Sequence, residues 1–395
     1  MYNYLLKDPT AYRLNYRCSK KISAFSPKSV VESWWFGVFG AAGSIGSLMN
    51  RSVCVTLVTY NTRQFIEPCL ESILRQRYSP LEVVVVDNAS MDGTRGILAR
   101  YENVIRVSYN NSNIGFAAAQ NQAIARSSSD WVLVLNPDVV LTPDFVQQLM
   151  AATEMDARVG TICGRLLAIG RDLKIPDKPL IDSAGLYFTP AMRHFDRGWH
   201  EPDDGRYHEL EYVFGASAAA ALYRRDMISD ISDGRNFFDP DFFAYREDAD
   251  VAWRAQLLGW RCLYVPGAVG HHVRTVNSAN RHEVPAVLNM HSVKNRFLMR
   301  IKNMTSGLYR KFWMPTTGRD LLVLGGCLLR EPKSLPAFWH IARCFGRSFA
   351  WRRKIMRRRQ VPDAGLAPWF SSQPSAQPVD KVALEVGATV SLCNR

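Results

Sequence analysis

From Ser52 onward, continuous apolar runs rich in β-branched residues alternate with stretches in which apolar side chains recur every three or four positions. The first run is Val53 to Thr59. Phe65, Ile66, Cys69, Leu70, Ile73 and Leu74 then take helical spacing, and Leu81 to Val86 follows with four consecutive valines, leaving no polar face. A strand of that kind is buried on both sides. A short helix, a strand around Val104 to Val107, an Asn/Gly turn at Asn113 and Gly115, an Ala-rich helix from Phe116 to Ala125 and a strand from Trp131 to Leu135 complete the pattern. Strands separated by crossover helices predict an α/β fold: a Rossmann-like, mostly parallel sheet with helices on both faces. Between about Met155 and Met304 strands and loops alternate less regularly.

Polar residues gather where these strands stop: Thr59-Tyr60-Asn61, Asp87-Asn88 and Asn136-Pro137-Asp138. In open α/β sheets ligands bind outside the carboxyl ends of the strands, so the three loops are expected to share one crevice. No G-x-G-x-x-G follows the first strand, which points away from a dinucleotide.

Asp138 ends a buried run within N-P-D, where a carboxylate can serve a hard divalent cation or cap the next helix. Asp87 can accept hydrogen bonds from a nucleobase or simply end its strand, and Thr59, Tyr60 and Asn61 can offer backbone contacts and a ring to the same base. Glu247-Asp248 is the third acidic element, at the head of a helix whose buried stripe is expected to be Val251, Ala255 and Leu258. Asp250 and Arg254, four apart, can pair at little gain. His271 and His272 lie on an extended segment, so they point to opposite sides. A neutral imidazole can complete a metal shell begun by carboxylates, although a lone histidine is commonly structural.

The run VCVTLVTYNTRQFIEPCLESIL, then VVVVDNASMDGT, NSNIGFAAAQNQAI, WVLVLNPDV, FGASAAALYRRD and FFDPDFFAYREDADVAWRAQLLGWRCLYVPGAVGHH, resembles the family 2 glycosyltransferases of the GT-A fold, especially their bacterial rhamnosyltransferase-like branch. The resemblance covers about Ser52 to Arg300. It implies inverting transfer of a sugar from a nucleotide diphosphate sugar, such as dTDP-rhamnose or a UDP-sugar, to a hydroxyl of a glycan or lipid-linked acceptor in cell-surface polysaccharide synthesis. By residue, it implies that Asp87 holds the base, with Asn88 beside it, and that Asn113 to Gly115 lie near the nucleotide. Asp138 and His272, with His271 as the alternative, would hold Mg²⁺ or Mn²⁺. Asp248, paired with Glu247, would be the catalytic base. The family's D-x-D motif has Asn136 at its first position here, where an amide would hydrogen-bond the sugar. Arg254 is expected either to meet phosphate charge or to pair with Asp250.

Composition adds a location. The chain has 395 residues, of which 47% are hydrophobic and 22% charged, ordinary for a globular protein, with a net charge of +13. Between Arg330 and Arg359 stand ten Lys/Arg against one Glu, so nine of those thirteen charges sit in one segment. Together with Phe338, Trp339, Phe345, Phe349 and Trp351, that is the composition of a helix lying on an anionic membrane surface. The expected organisation is therefore an N-terminal extension (1–51), a catalytic domain (52–304, with a nucleotide-binding half 52–150 and an acceptor half 151–304), a C-terminal basic amphipathic helical segment that associates with the membrane (305–360) and a disordered tail (361–395). Trp34 to Met49 is apolar but only 16 residues long, short for a span. No basic start followed by an apolar run marks a cleavable leader, and the eight cysteines form no C-x-x-C pair. A reduced protein, peripheral on the cytoplasmic face of the inner membrane, is expected. A nucleotidyltransferase would need phosphate-gripping residues near the first strand, where Val58 to Gln64 offers only Arg63. A nucleic-acid-binding protein would need a recognition motif that the chain lacks, and no nucleic-acid partner is expected.

Overall fold

The structure is a computed structural model; it describes residues 51–274 and 286–379, so the N-terminal extension, Trp34 to Met49 and the last residues of the expected tail lie outside the described residues. The strands are β1 (Val53–Thr59), β2 (Leu81–Asp87), β3 (Arg106–Tyr109), β4 (Trp131–Leu135), β5 (Val139–Leu141), β6 (Val159–Ala168), β7 (Leu180–Ser183), β8 (Leu186–Phe188), β9 (His194–Asp196), β10 (Glu211–Val213), β11 (Ala220–Arg224), β12 (Arg261–His272) and β13 (Ala376–Pro378). The helices are α1 (Ile66–Leu74), α2 (Thr94–Ala99), α3 (Phe116–Ala125), α4 (Phe145–Ala151), α5 (Arg225–Ile231), α6 (Glu247–Leu257), α7 (Ala286–Asn303), α8 (Ser306–Leu329), α9 (Pro336–Arg358) and α10 (Asp363–Leu366).

Among the described residues one sheet gathers eleven strands, in the order β13-β10-β12-β6-β11-β4-β1-β2-β3, with β5 added on β12 and β7 on β6. β4, β1, β2 and β3 run parallel, as the crossover pattern predicts. β11 is antiparallel to β4 and to β6, which turns the second half into a mixed sheet. All seven residues of β1 and all five of β4 are buried, so helices cover both faces of the centre. The four expected valines carry β2, whose register places Asp87 beside Thr59. The third strand begins at Arg106, later than its apolar pattern suggests.

Two expectations fail. Residues 361–379 are not a disordered tail: Leu366, Trp369 and Phe370 enter the main core, Phe370 packs on Phe188, Phe214 and Trp253, and Ala376 to Pro378 adds a strand to β10. Three large apolar anchors outweigh the Ser, Pro and Gln around them. Nor is α6 a one-sided helix. Every residue in it except Asp248 is buried, because α5, α7, α9 and β12 pack around it.

Candidate active site

Parallel strands present their last residues on one edge. Thr59 and Asp87 are register partners there, and Asp87 pairs onward with Tyr109 on β3. The Asp87 carboxylate is enclosed: the Thr59 hydroxyl donates to Oδ1 at 2.9 Å, and the Ser90 N–H and Arg95 Nε donate to Oδ2 at 3.0 and 2.7 Å. Arg95 is the member of this group that reaches solvent, and its guanidinium lies over the Tyr109 ring. Asn88 donates to the Gly115 carbonyl and accepts from Asn110, while the Asn113 side chain accepts from the Gly115 N–H. Tyr60 and Asn61 are exposed at the rim, with the Asn61 amide oxygen accepting from the Met91 N–H.

Asn136 and Asp138 follow β4 on the same edge. The Asn136 N–H donates to the Ala219 carbonyl, and the N–H of neighbouring Ala218 donates to Asp248 Oδ2 at 3.3 Å. That short path brings the third acidic element to the end of β4. β12 runs alongside β5, placing His272 opposite Val139, and the Val273 N–H donates to the Asp138 carbonyl. His272 Nε2 lies 3.4 Å from Asp138 Oδ1. Of the two histidines, His272 faces the site and His271 points the other way. Asp138 and His272 thus meet at this rim, Asp248 is linked to its neighbourhood through Ala218, and Asp87 lies two strands away on the same edge.

Arg254 does not belong there. It is fully buried: Nε donates to Asp250 Oδ2 at 3.0 Å, the two terminal nitrogens donate to the carbonyls of Ile231 and Phe237, and the guanidinium packs over Trp351. With its donors engaged below α6, it supports the helix instead of meeting phosphate. The pairing with Asp250 is a core interaction, not the weak surface contact that spacing alone suggests.

Burial dominates the carboxyls at the head of α6. It pushes Glu247 up to about 8, helped by the charge of Asp248, and pushes Asp248 up to about 6 against hydrogen bonds from the Ala249 and Ala218 N–H groups. Near neutral pH the pair is therefore one carboxylate on Asp248 beside a protonated Glu247. The loop that delivers them is strained: Phe243, Tyr245 and Arg246 all have positive φ, at 63°, 69° and 71°. Asn295 on α7 holds it, its amide lying 2.8 Å from the carbonyls of Phe242, Ala244 and Tyr245.

Sequence reasoning missed a cluster behind His272. Asp182 Oδ2 lies 2.7 Å from His272 Nδ1, and Arg274 ties Asp182 to Asp196 through contacts of 2.7 and 2.6 Å. Burial alone would lower the His272 pKa, but Asp182 and Asp138 outweigh it and push the imidazole up to about 10. Asp182 is visible in the sequence only as one carboxylate in a short strand, LIDS, after Leu180 and Ile181.

The donor set fits a divalent cation. Asp138 Oδ1 and His272 Nε2 lie 3.4 Å apart, a carboxylate and an imidazole that would hold an ion once the ring gives up the proton that Asp182 and Asp138 favour; among the described residues no group of three or more His, Cys, Asp or Glu is placed to hold one.

The family model for "Glycosyl transferase family 2" matches residues 54–232. An N-acetylglucosaminyl-diphospho-decaprenol L-rhamnosyltransferase of Mycobacterium tuberculosis is 30% identical over 244 residues, which cover 55% of this chain and 75% of that protein. The chain belongs to glycosyltransferase family 2. A poly-beta-1,6-N-acetyl-D-glucosamine synthase of Staphylococcus aureus is 23% identical over 231 residues, 55% of this chain and 49% of that one. The crystal structure of GalNAc-T7 with UDP, GalNAc and Mn²⁺ superposes with a TM-score of 0.51 at 13% identity, over 64% of this chain and 48% of that one, a likeness of fold. Family membership makes the chain a glycosyltransferase, and the rim with Asp138 and His272, to which Asp248 is linked through Ala218, is its candidate active site. The nucleotidyltransferase and nucleic-acid readings lose their ground. Much of the basic segment also turns inward: Arg352 donates to the carbonyls of Ile301 and Met304, Lys354 to that of Ser232, and Arg358 pairs with Asp230.

Proposed function

We propose that this chain is an inverting transferase that moves a sugar from a nucleotide diphosphate sugar, dTDP-rhamnose or a UDP-sugar, to a hydroxyl of a glycan or lipid-linked acceptor in cell-surface polysaccharide synthesis. The observation that carries the reading is the approach of His272 Nε2 to Asp138 Oδ1 just past the end of β4, with the half-buried Asp248 tied through the Ala218 N–H to the segment that receives the Asn136 N–H. Mg²⁺ or Mn²⁺, held by Asp138 and His272, would supply Lewis-acid neutralisation of diphosphate charge. Arg95, anchored on Asp87, and the rings of Tyr60 and Tyr109 face the nucleobase, while Asn88, Asn113 and Gly115 shape the floor under the ribose. Asn136 hydrogen-bonds the sugar.

Asp248 accepts the proton of the acceptor hydroxyl as its oxygen attacks the anomeric carbon, and the bond from that carbon to the diphosphate breaks on the opposite face. A positioned carboxylate contributes roughly 10²- to 10⁴-fold to such a step. The acceptor-dependent release of nucleoside diphosphate from a panel of donors tests this reading, together with the anomeric configuration of the product by NMR. One donor is expected to respond, with inversion. Release of pyrophosphate, or retention of configuration, would sink it.

For location, the reading is a peripheral protein on the cytoplasmic face of the inner membrane. Among the described residues no helix is long and apolar enough to cross a membrane. The apolar contact is shared between α8 and the basic α9, on which Trp339, Phe345 and Phe349 are exposed. Met314, Leu321, Leu322, Leu328 and Leu329 follow helical spacing along one exposed stripe, with Leu329 85% exposed, and exposed Arg330 and Lys333 follow in the chain. Leucines beside basic side chains match the acyl boundary and headgroups of an anionic bilayer. Trp351, by contrast, is core.

A further inference from the structure

We infer that Asp182 is the positioning residue for the metal-side histidine, fixing the His272 ring so that Nε2 faces Asp138. The inference rests on the metal reading above. A histidine ligand binds through one nitrogen, and a carboxylate that accepts a hydrogen bond from the other nitrogen sets the tautomer and the ring angle. Here the geometry is complete before any ligand enters: Asp182 Oδ2 lies 2.7 Å from Nδ1, Nε2 lies 3.4 Å from Asp138 Oδ1, and both Asp182 and His272 are buried.

Asp182 is itself held. Arg274 Nε lies 2.7 Å from its Oδ1, and Arg274 Nη2 donates to its Oδ2 at 3.3 Å. Asp182 stands on β7, which pairs with β6, while His272 ends β12, which pairs with β6 on the other side. The carboxylate and the imidazole are therefore fixed by the same central strand. Arg274 also reaches Asp196 at 2.6 Å, so its charge stays compensated when Asp182 loses its own.

The test is Mn²⁺ binding followed by electron paramagnetic resonance, in the presence of UDP and separately of dTDP, on the full chain and on the variants Asp182→Asn, Asp182→Glu and His272→Ala. Asp182→Asn is expected to weaken Mn²⁺ binding by roughly 10- to 100-fold, because outer-shell partners of ligating histidines act on that scale, and to lower the melting temperature as well, since His272 and Arg274 hold the buried carboxylate ionised. Asp182→Glu, which displaces the charge by one methylene, is expected to fall between Asn and wild type. A purely structural role would shift melting and leave the Mn²⁺ constant alone. If wild type binds Mn²⁺ no better than His272→Ala, the metal reading fails; if wild type binds and Asp182→Asn matches it within twofold, the positioning role fails. Should Asp182→Asn not fold, Asp182→Glu decides by the same criterion.

Discussion

Lys302 Nζ lies 2.9 Å from Asp250 Oδ1 with both side chains wholly removed from solvent, one turn of α7 thereby bolted to the helix that carries Asp248, the proposed base. The same ammonium reaches Asp239 Oδ2 at 2.6 Å and packs over the rings of Phe242 and Trp351. Asn303 donates to Asp250 Oδ1, and Arg254 covers Oδ2. Removing one partner from a buried ion network strands the rest without water. Lys302→Ala is expected to cost roughly 3–5 kcal/mol, read as a fall in the urea midpoint. A loss below about 1 kcal/mol would place the network among the weak surface pairs instead.

Asp248 sets a pH dependence. Its carboxyl, raised by burial to about 6, must be ionised to accept a proton, so kcat/KM is expected to rise with pH through an apparent value near 6. An unperturbed aspartate would give a flat profile above pH 5. Asp248→Asn is expected to lower turnover by at least roughly 10²-fold while leaving donor binding in place.

The same displacement bears on stability with the opposite sign. A carboxyl whose folded value lies above its unfolded one makes folding less favourable as pH rises from about 4 to 6, because the unfolded chain ionises first. Asp248→Asn removes that penalty. Its melting temperature at pH 7.5 is expected to equal or exceed that of wild type, with the difference vanishing at pH 4, as checked by calorimetry. A lower melting temperature at pH 7.5 would mean that Asp248 stabilises the fold.

What the sequence revealed and what it hid divide along a physical line. β1, β2 and β4 were legible because strands buried on both faces need unbroken apolar runs, and Thr59, Asp87 and Asp138 were legible because polar residues at their ends have few places to go. Alternation along an extended segment separates His271 from His272, but which side faces the site depends on β12 pairing with β5, where His272 lies opposite Val139, a residue far away in the chain that only folding brings near. Arg254 misled because its spacing to Asp250 is the same in a buried network as on a surface. Asp182 and Arg274 meet only after β6 has drawn β7 and β12 to its two sides.

Gly115 links the nucleotide side to the loop carrying the base. Its φ is +87°, and a Cβ there would stand 2.5 Å from the Phe243 ring and 2.7 Å from the Phe243 carbonyl. Neither neighbour can give way easily, since the Ala117 N–H donates to that carbonyl and the ring stacks on His291. Gly115→Ala is expected to raise the donor KM and lower kcat together, by displacing the strained segment before Glu247. Steady-state kinetics unchanged within twofold would separate the two loops.

The leucine stripe on α8 yields the last prediction. Leu321 and Leu322 are 64% and 68% exposed, side by side on a helix whose opposite face is pinned by Asp320 to Arg296 and Arg300. Substituting both with Glu leaves that inner face intact and opposes anionic headgroups with two added negative charges. Flotation with phosphatidylglycerol-containing vesicles is expected to recover wild type at low salt and to lose the double variant Leu321→Glu/Leu322→Glu, with both retaining the same melting temperature. Lys333→Gln and Arg343→Gln together are expected to weaken recovery at low salt and to match wild type as salt rises, since headgroup attraction is screened while acyl contact is not. Equal recovery of the double Glu variant would assign membrane contact elsewhere; a gain in its solubility with a shift from dimer to monomer by light scattering would assign the stripe to a second copy of the chain.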